Sequence, residues 1–573
     1  MATETVTLDI IDPAHAPQRT STTHEEDQHH SPQNSTSQTS IRRSHDTNHS
    51  TASPQPRIIE PTSIDTTDIH DQTSRLPFPR LMLVYACLST AYFISTLDIN
   101  AVATALPAIG SSLNAGTSIT WAGTAYLMGQ AACQPLYGRL SDVFGRKPVL
   151  MTSLGFIVLG GVLCGFAQTP TWLYVCRALS GVGGGGVSSV VTIVVSDLVS
   201  MRDRGKYQGL LSTAIGLGSC TGPFIAAEML RRGGEAWRWI FWMPPILASV
   251  CLVFMGFLLP LKPVVGSWRE KLGRIDWMGL VVVVTAMVFL LLPINYGGSK
   301  WPWNSAMVIS MLSIGAASWF LFFVIQKRLA SIPMIPLRLF TKRSTLILFL
   351  QAPAYDFVFQ VDLYFLPMYF QEVRGYSPLQ TATLLLSLLV TLSVVGAISG
   401  PLMTRFARYG PVMWIGFAFW LLGVGLKVNF SRTTPMWTEV LTLIVEGAGI
   451  GFVHQPALVA LQALCKPQDR AVATSARNLM RMLGAVTGLA VSTAVQYAVT
   501  SSSLPDGNAA NDFGQEESIT LAEAKMRGIR AVFTIMVPLI GLCGASCFFV
   551  PNAELEGDER REATERDQAT LHR

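Results

Sequence analysis

The sequence predicts an all-α membrane protein that crosses the bilayer fourteen times, and two observations carry that expectation. Half of the 573 residues are hydrophobic and only 14% are charged, far less charge than an ordinary soluble domain carries. From Leu81 onward, windows of about twenty apolar residues recur, each long enough as a helix to cross a hydrocarbon core of roughly 30 Å. Fourteen soluble core helices of this composition would leave almost no polar surface.

The elements follow in chain order. Residues 1–79 hold seven of the nine His and are rich in Ser, Thr, Gln and Pro. With so few large apolar groups they cannot offset the entropy of ordering, so they read as a disordered cytosolic tail. No basic flank and apolar core of a cleavable signal stands at the start, and the first span is expected to serve as the targeting signal. Six windows, at 80–102, 118–138, 148–167, 172–195, 207–228 and 238–260, form an N-terminal bundle over 80–260. Two more, at 276–294 and 306–326, sit in a linker over 261–343. The last six, at 344–370, 379–400, 411–427, 437–463, 474–499 and 527–550, form a C-terminal bundle over 344–550, followed by a second cytosolic tail at 551–573. Two repeated halves facing a midplane site are a transporter architecture.

Orientation follows from Lys and Arg in the short loops. With the termini inside, the inner loops hold nineteen of these residues and the outer loops six, as the positive-inside rule requires. The net charge of +5 is explained by this topology, so no nucleic-acid partner is expected.

Enzyme and cofactor chemistry find no motif. The nine Cys form no CxxC pair or Cys/His cluster, so neither a disulfide frame nor a metal site is expected. There is no GxxxxGK[ST], HExxH or GxSxG pattern. The run Gly181-Val182-Gly183-Gly184-Gly185-Gly186 formally matches GxGxxG, but no strand precedes it and it falls at membrane depth. Its glycines read as a surface for tight helix packing.

Several polar groups inside or beside the spans point to mechanism. The loop from Gly138 to Leu150 reads GRLSDVFGRKPVL. Gly138 permits close helix contact, Asp142 offers an anion to a helix N-terminus, and the cations hold the inner face. With Asp197 at the inner end of span four, Gly138, Asp142 and Arg146 are expected to form a gating clasp. Asp98 lies about four residues before the end of span one and Arg177 about five after the start of span four. Both therefore sit roughly 6 to 8 Å below the outer boundary, where a pair is possible and a lone charge is costly. In span five, Gly218 and Gly222 leave room and Pro223 removes a donor, so a bend is expected. Asp356 and Asp362 in span nine and Glu446 in span twelve are candidates to line a central cavity, with local hydrogen bonding between helices as the alternative. His454 is either a cavity group or packed. Glu228 and Glu439 stand near outer ends and are expected to be solvated.

These segments together resemble the major facilitator superfamily, and within it the fourteen-span drug:proton antiporters typified by fungal efflux pumps. The Gly138–Leu150 loop is similar to that superfamily's loop between spans two and three. Arg177-Ala178-Leu179-Ser180-Gly181 is similar to its fourth-span motif, whose Arg is implicated in proton transfer. The stretch Gly216 to Ala227 resembles the antiporter motif, with AA where the family has GG. Leu97 to Pro107 resembles the span-one signature, with Asn100 where Thr is preferred. The matches extend to RGKYQG at 204–209, WRWIFW at 237–242, Ile275-Asp276-Trp277 and PLRLF at 336–340, so the resemblance covers 80–550.

The resemblance implies a major facilitator fold, two six-helix bundles plus two inserted helices. It implies a proton-coupled antiporter that exports a small organic compound such as a drug, toxin or secondary metabolite, amphipathic or cationic in character. Asp98 and Arg177 would couple the proton, which is the coupling ion, with no other cofactor. The expected partners are a small-molecule substrate and the lipid bilayer, the protein working as a monomer, in the plasma membrane first and the vacuolar membrane second. Import of basic amino acids into a vacuole is the alternative within transport. A non-transporting nutrient sensor is the alternative from another class.

Overall fold

The computed structural model describes residues 77–552, except 116–117, 120, 260–268, 270–272, 274, 297–300, 331–332 and 503–514. The two predicted tails lie outside the described residues, apart from a few positions at their inner edges. Phe78 and Pro79 already belong to the first helix, and Pro551 and Asn552 are tied to the chain near Tyr409 and Gly410.

Fourteen long helices run through the described residues. They are α1 (Phe78–Ser112), α2 (Trp121–Phe144), α3 (Arg146–Gly165), α4 (Pro170–Leu198), α5 (Met201–Arg231), α6 (Arg238–Leu258), α7 (Trp277–Tyr296) and α8 (Ala306–Arg328). The rest are α9 (Arg343–Met368), α10 (Pro378–Phe406), α11 (Gly410–Lys427), α12 (Met436–Leu464), α13 (Arg470–Ser502) and α14 (Gln515–Cys547). Thirteen are long and apolar enough to cross a membrane, and α2 is the one that is not. The window read at 118–138 nevertheless falls on this helix. Helix α2 carries Gln130, Gln134, Arg139 and Asp142, all buried, because protein surrounds it where other helices would meet lipid.

Local chemistry sets the helix ends. Gly145, at φ 95°, is the single residue between α2 and α3, a turn whose left-handed backbone suits glycine. Thr169 accepts from the Trp172 amide to start α4, Ser200 caps α5, and Ser377 with Gln380 forms a capping box on α10. Asp276 accepts from the Gly279 amide at 2.8 Å to start α7 and takes the Gln326 side chain from α8 at 2.6 Å. The two inserted helices thereby form a hairpin. Helix α5 continues unbroken past Pro223, so the expected bend does not interrupt it.

Packing relies on glycines at helix crossings. In the first half, a Cβ at Gly181 would overlap the Tyr126 carbonyl on α2, and one at Gly183 would press on Ser153 and Ile157 of α3. The glycine run of α4 is thus the packing surface the sequence predicts. In the second half, Gly447 and Gly451 of α12 meet α10, and Gly484 and Gly488 of α13 meet α9. The halves touch along two seams: Gly209 of α5 lies against Gly396 and Gly400 of α10, and Gly138 of α2 against Ala471 and Ser475 of α13. The buried apolar side chains of the first half divide into two clusters, one reaching Ile94 and the other beginning at Ala101 along α1. A polar layer separates them.

Candidate functional site

Asp98 and Arg177 occupy that polar layer. The Arg177 Nη1 donates to Asp98 Oδ2 at 2.7 Å, and both residues are buried, at 1% and 4% exposure for Arg177 and Asp98. Arg177 Nε donates to the Ala122 carbonyl at 3.2 Å, and its guanidinium lies 4.5 Å from the Tyr126 ring centre. The Tyr126 hydroxyl is 3.3 Å from Ser95 Oγ on α1. The two residues meet as their matched depth predicts, and Arg177 does not reach outward to solvent. Gly218 and Gly222 let α5 lie directly on the Phe93–Ala101 stretch of α1, while Asn100 donates to Ser219 at 3.4 Å.

The predicted clasp residues also converge. Arg146, at the start of α3, donates to Asp142 Oδ1 of α2 at 2.6 Å and to Asp197 Oδ2 of α4 at 2.9 Å. Three consecutive helices are therefore joined through one guanidinium. Arg139 approaches Asp142 Oδ2 at 3.7 Å and donates to the Pro333 carbonyl at 2.8 Å, which ties α2 to the segment before α9. Gly138 sits at the seam with α13, so this cluster lies where the halves touch.

The cavity candidates divide. Asp362 of α9 and Glu446 of α12 both bind Lys427 of α11, the second at 2.7 Å, and all three are 0% exposed. They form an enclosed triad inside the second half and do not line an open cavity in this conformation, because Lys427 supplies a counter-charge that draws both carboxylates inward. Asp356 instead binds Arg481 of α13, with Nε at 3.0 Å and Nη2 at 2.8 Å from Oδ1. His454 Nε2 lies 3.8 Å from the same oxygen. Glu439 is corrected from solvated to buried: it accepts from Tyr369 at 2.8 Å and pairs with Arg374 at 3.0 Å. Glu228 is half-exposed beside Arg231 and Arg232, as expected.

Lys427, Arg477 and Arg481 escape a reading by windows. Lys427 closes its span and passes for a loop cation. The signal for the other two was present as an arginine pair four residues apart inside an apolar window.

Fourteen helices in two halves, held together by buried ion pairs at several depths, define a helical membrane transporter fold. The family model described as Major Facilitator Superfamily matches residues 88–489, and the chain belongs to the major facilitator superfamily. Members of that family are transporters and not enzymes. The chain is 38% identical over 512 residues to Citrate exporter 1 of Yarrowia lipolytica, covering 87% of this chain and 76% of that protein. It is 33% identical over 490 residues to the MFS-type transporter clz4 of Cochliobolus lunatus, covering 84% and 88%. It is 33% identical over 405 residues to the efflux pump dotC of Dothistroma septosporum, covering 71% and 70%. Among solved structures, the proton:xylose symporter XylE superposes with a TM-score of 0.58 at 14% identity, over 84% of this chain and 99% of that one. That likeness concerns the fold alone.

Proposed function

We propose that the chain is a proton-coupled antiporter of the fourteen-span drug:proton type, exporting a small organic compound across the plasma membrane. The observation that carries the reading is the Asp98–Arg177 pair, fully enclosed between α1 and α4. The two charges neutralise each other inside a buried layer closed off from solvent. Such a pair can separate only when its surroundings change, so rocking of the halves and the state of the pair are linked. The Arg146 cluster supplies the complementary element, a set of ion pairs at one end of the first half that holds that end together and must rearrange for it to open. Relatives named as a citrate exporter and an efflux pump support export of organic compounds.

The test is reconstitution of the full chain in liposomes with an imposed pH gradient. Solute accumulation that follows the gradient, and proton movement in the opposite sense on addition of solute, are the expected results. Solute flux indifferent to a gradient of either sign would overturn proton coupling.

A further inference from the structure

Helix α13 carries Arg477, Asn478 and Arg481 about 10 to 17 Å along its axis from Arg470, at 1.5 Å per residue. That depth lies within the hydrocarbon thickness of roughly 30 Å. Arg481 pairs with Asp356. Arg477, only 3% exposed, donates to the Tyr355 hydroxyl and to the His454 carbonyl at 2.8 Å, but among the described residues it has no ion-pair partner. The other interior cations described above each face a carboxylate: Arg177 has Asp98, Arg146 has Asp142 and Asp197, and Lys427 has Asp362 and Glu446. The α13 cluster alone among these sites carries surplus positive charge, with Arg477 and Arg481 set against the single carboxylate of Asp356.

The surplus faces the seam between the halves. Asn478 donates to Ser189 Oγ of α4 at 3.4 Å, and the same oxygen accepts from Gln134 of α2 at 2.8 Å. Tyr92 of α1 lies within electrostatic reach of Arg481, Arg477 and Asp356. The Arg481 side chain is 26% exposed at a depth where exposure to lipid is too costly, so it opens to the space between the halves.

We propose that Arg477 and Arg481 bind the transported compound and that it is a small carboxylate anion. The proposal rests on the reading of the chain as an exporter of small organic compounds, and it names the substrate class. Two buried guanidiniums that share the single carboxylate of Asp356 leave one positive charge uncompensated, which is costly, and an arriving carboxylate removes that cost. The planar fork of arginine matches a carboxylate in two parallel hydrogen bonds. Two arginines four residues apart on one helix stand about 6 Å from each other at Cβ, a spacing suited to the two ends of a dicarboxylate or tricarboxylate. A cationic solute meets repulsion here, which counts against basic amino acids. Tyr92 precedes Asp98 by six residues, about 9 Å along α1, so solute and proton occupy different levels.

The experiment is calorimetric titration of the purified full chain with citrate and succinate, and with tetraphenylphosphonium as the cation probe, in the absence of any gradient. Citrate or succinate binds the wild-type protein, and affinity falls by about tenfold or more in Arg477→Gln and Arg481→Gln. Arg477→Lys, which keeps the charge, retains part of it. Should a glutamine variant fail to fold, Asn478→Asp decides: it places a carboxylate one turn from Arg481 and weakens carboxylate binding while the melting temperature holds. Equal affinity in the folded variants, unchanged affinity in Asn478→Asp, or binding of tetraphenylphosphonium in place of both carboxylates would overturn the assignment. The last result, joined to gradient-driven export of the cation, would leave the antiporter reading standing. Carboxylate binding without gradient coupling would do the reverse.

Discussion

Arg177 and Asp98 are 79 residues apart in sequence and 2.7 Å apart in space, joined across α1 and α4 in the layer that separates the two apolar clusters of the first half. Asp98→Asn keeps a hydrogen-bond acceptor for Arg177 and removes the titrating group. The variant is expected to fold, to retain solute binding and solute–solute exchange, and to lose accumulation driven by a pH gradient. Vesicle uptake with and without the gradient checks this, and wild-type accumulation with the wild-type pH profile would exclude Asp98 as the coupling residue.

The Arg146 guanidinium holds two carboxylates at once. Asp142→Asn is expected to cut transport at least roughly tenfold with membrane delivery near normal, since its partner still has Asp197. Because both acids act through one group, the effects of Asp142→Asn and Asp197→Asn are expected to be non-additive by about 0.5 to 3 kcal/mol in a double-mutant cycle. Additive losses would mean that Arg146 does not couple them.

Lys427 is the sole cation contacting the buried carboxylates Asp362 and Glu446 among the described residues. Lys427→Met strands two acids in an apolar interior, and a loss of roughly 3 to 5 kcal/mol of stability is expected. Combining it with Asp362→Asn and Glu446→Gln removes all formal charge and is expected to recover most of that loss. Thermal melting of the purified proteins measures both steps, and a triple variant no more stable than Lys427→Met would show that the charge is not what the single change disturbs.

Gly129 of α2 has no room for a side chain, because a Cβ there would overlap the Ala178 backbone carbonyl of α4, whereas one at Gly123 meets nothing within 4 Å. Backbone cannot move aside as a flexible side chain does. Gly129→Ala is expected to destabilise the α2–α4 contact by about 1 to 3 kcal/mol and Gly123→Ala to be near neutral. Equal melting temperatures for the two would contradict the close approach.

Much of this architecture is a property of the chain read locally. Hydropathy over about twenty residues is a one-dimensional quantity, so the spans are visible without knowing what they touch, although α2, with its buried Gln130, Gln134, Arg139 and Asp142, relies on its neighbours and not on its own side chains for shielding from lipid. The clasp residues and the Asp98–Arg177 pair were legible because depth along a helix can be counted from a span end. Rotation about the helix axis cannot be counted in that way, and it decides which side chains meet. Only the tertiary structure turned Asp362 and Glu446 inward onto Lys427, buried Glu439 against Arg374, and left Arg477 and Arg481 to share Asp356 at the seam among the described residues. Each of those outcomes depends on which helix lies alongside, and a buried charge is stabilised or stranded by its neighbours in space, wherever they stand in sequence.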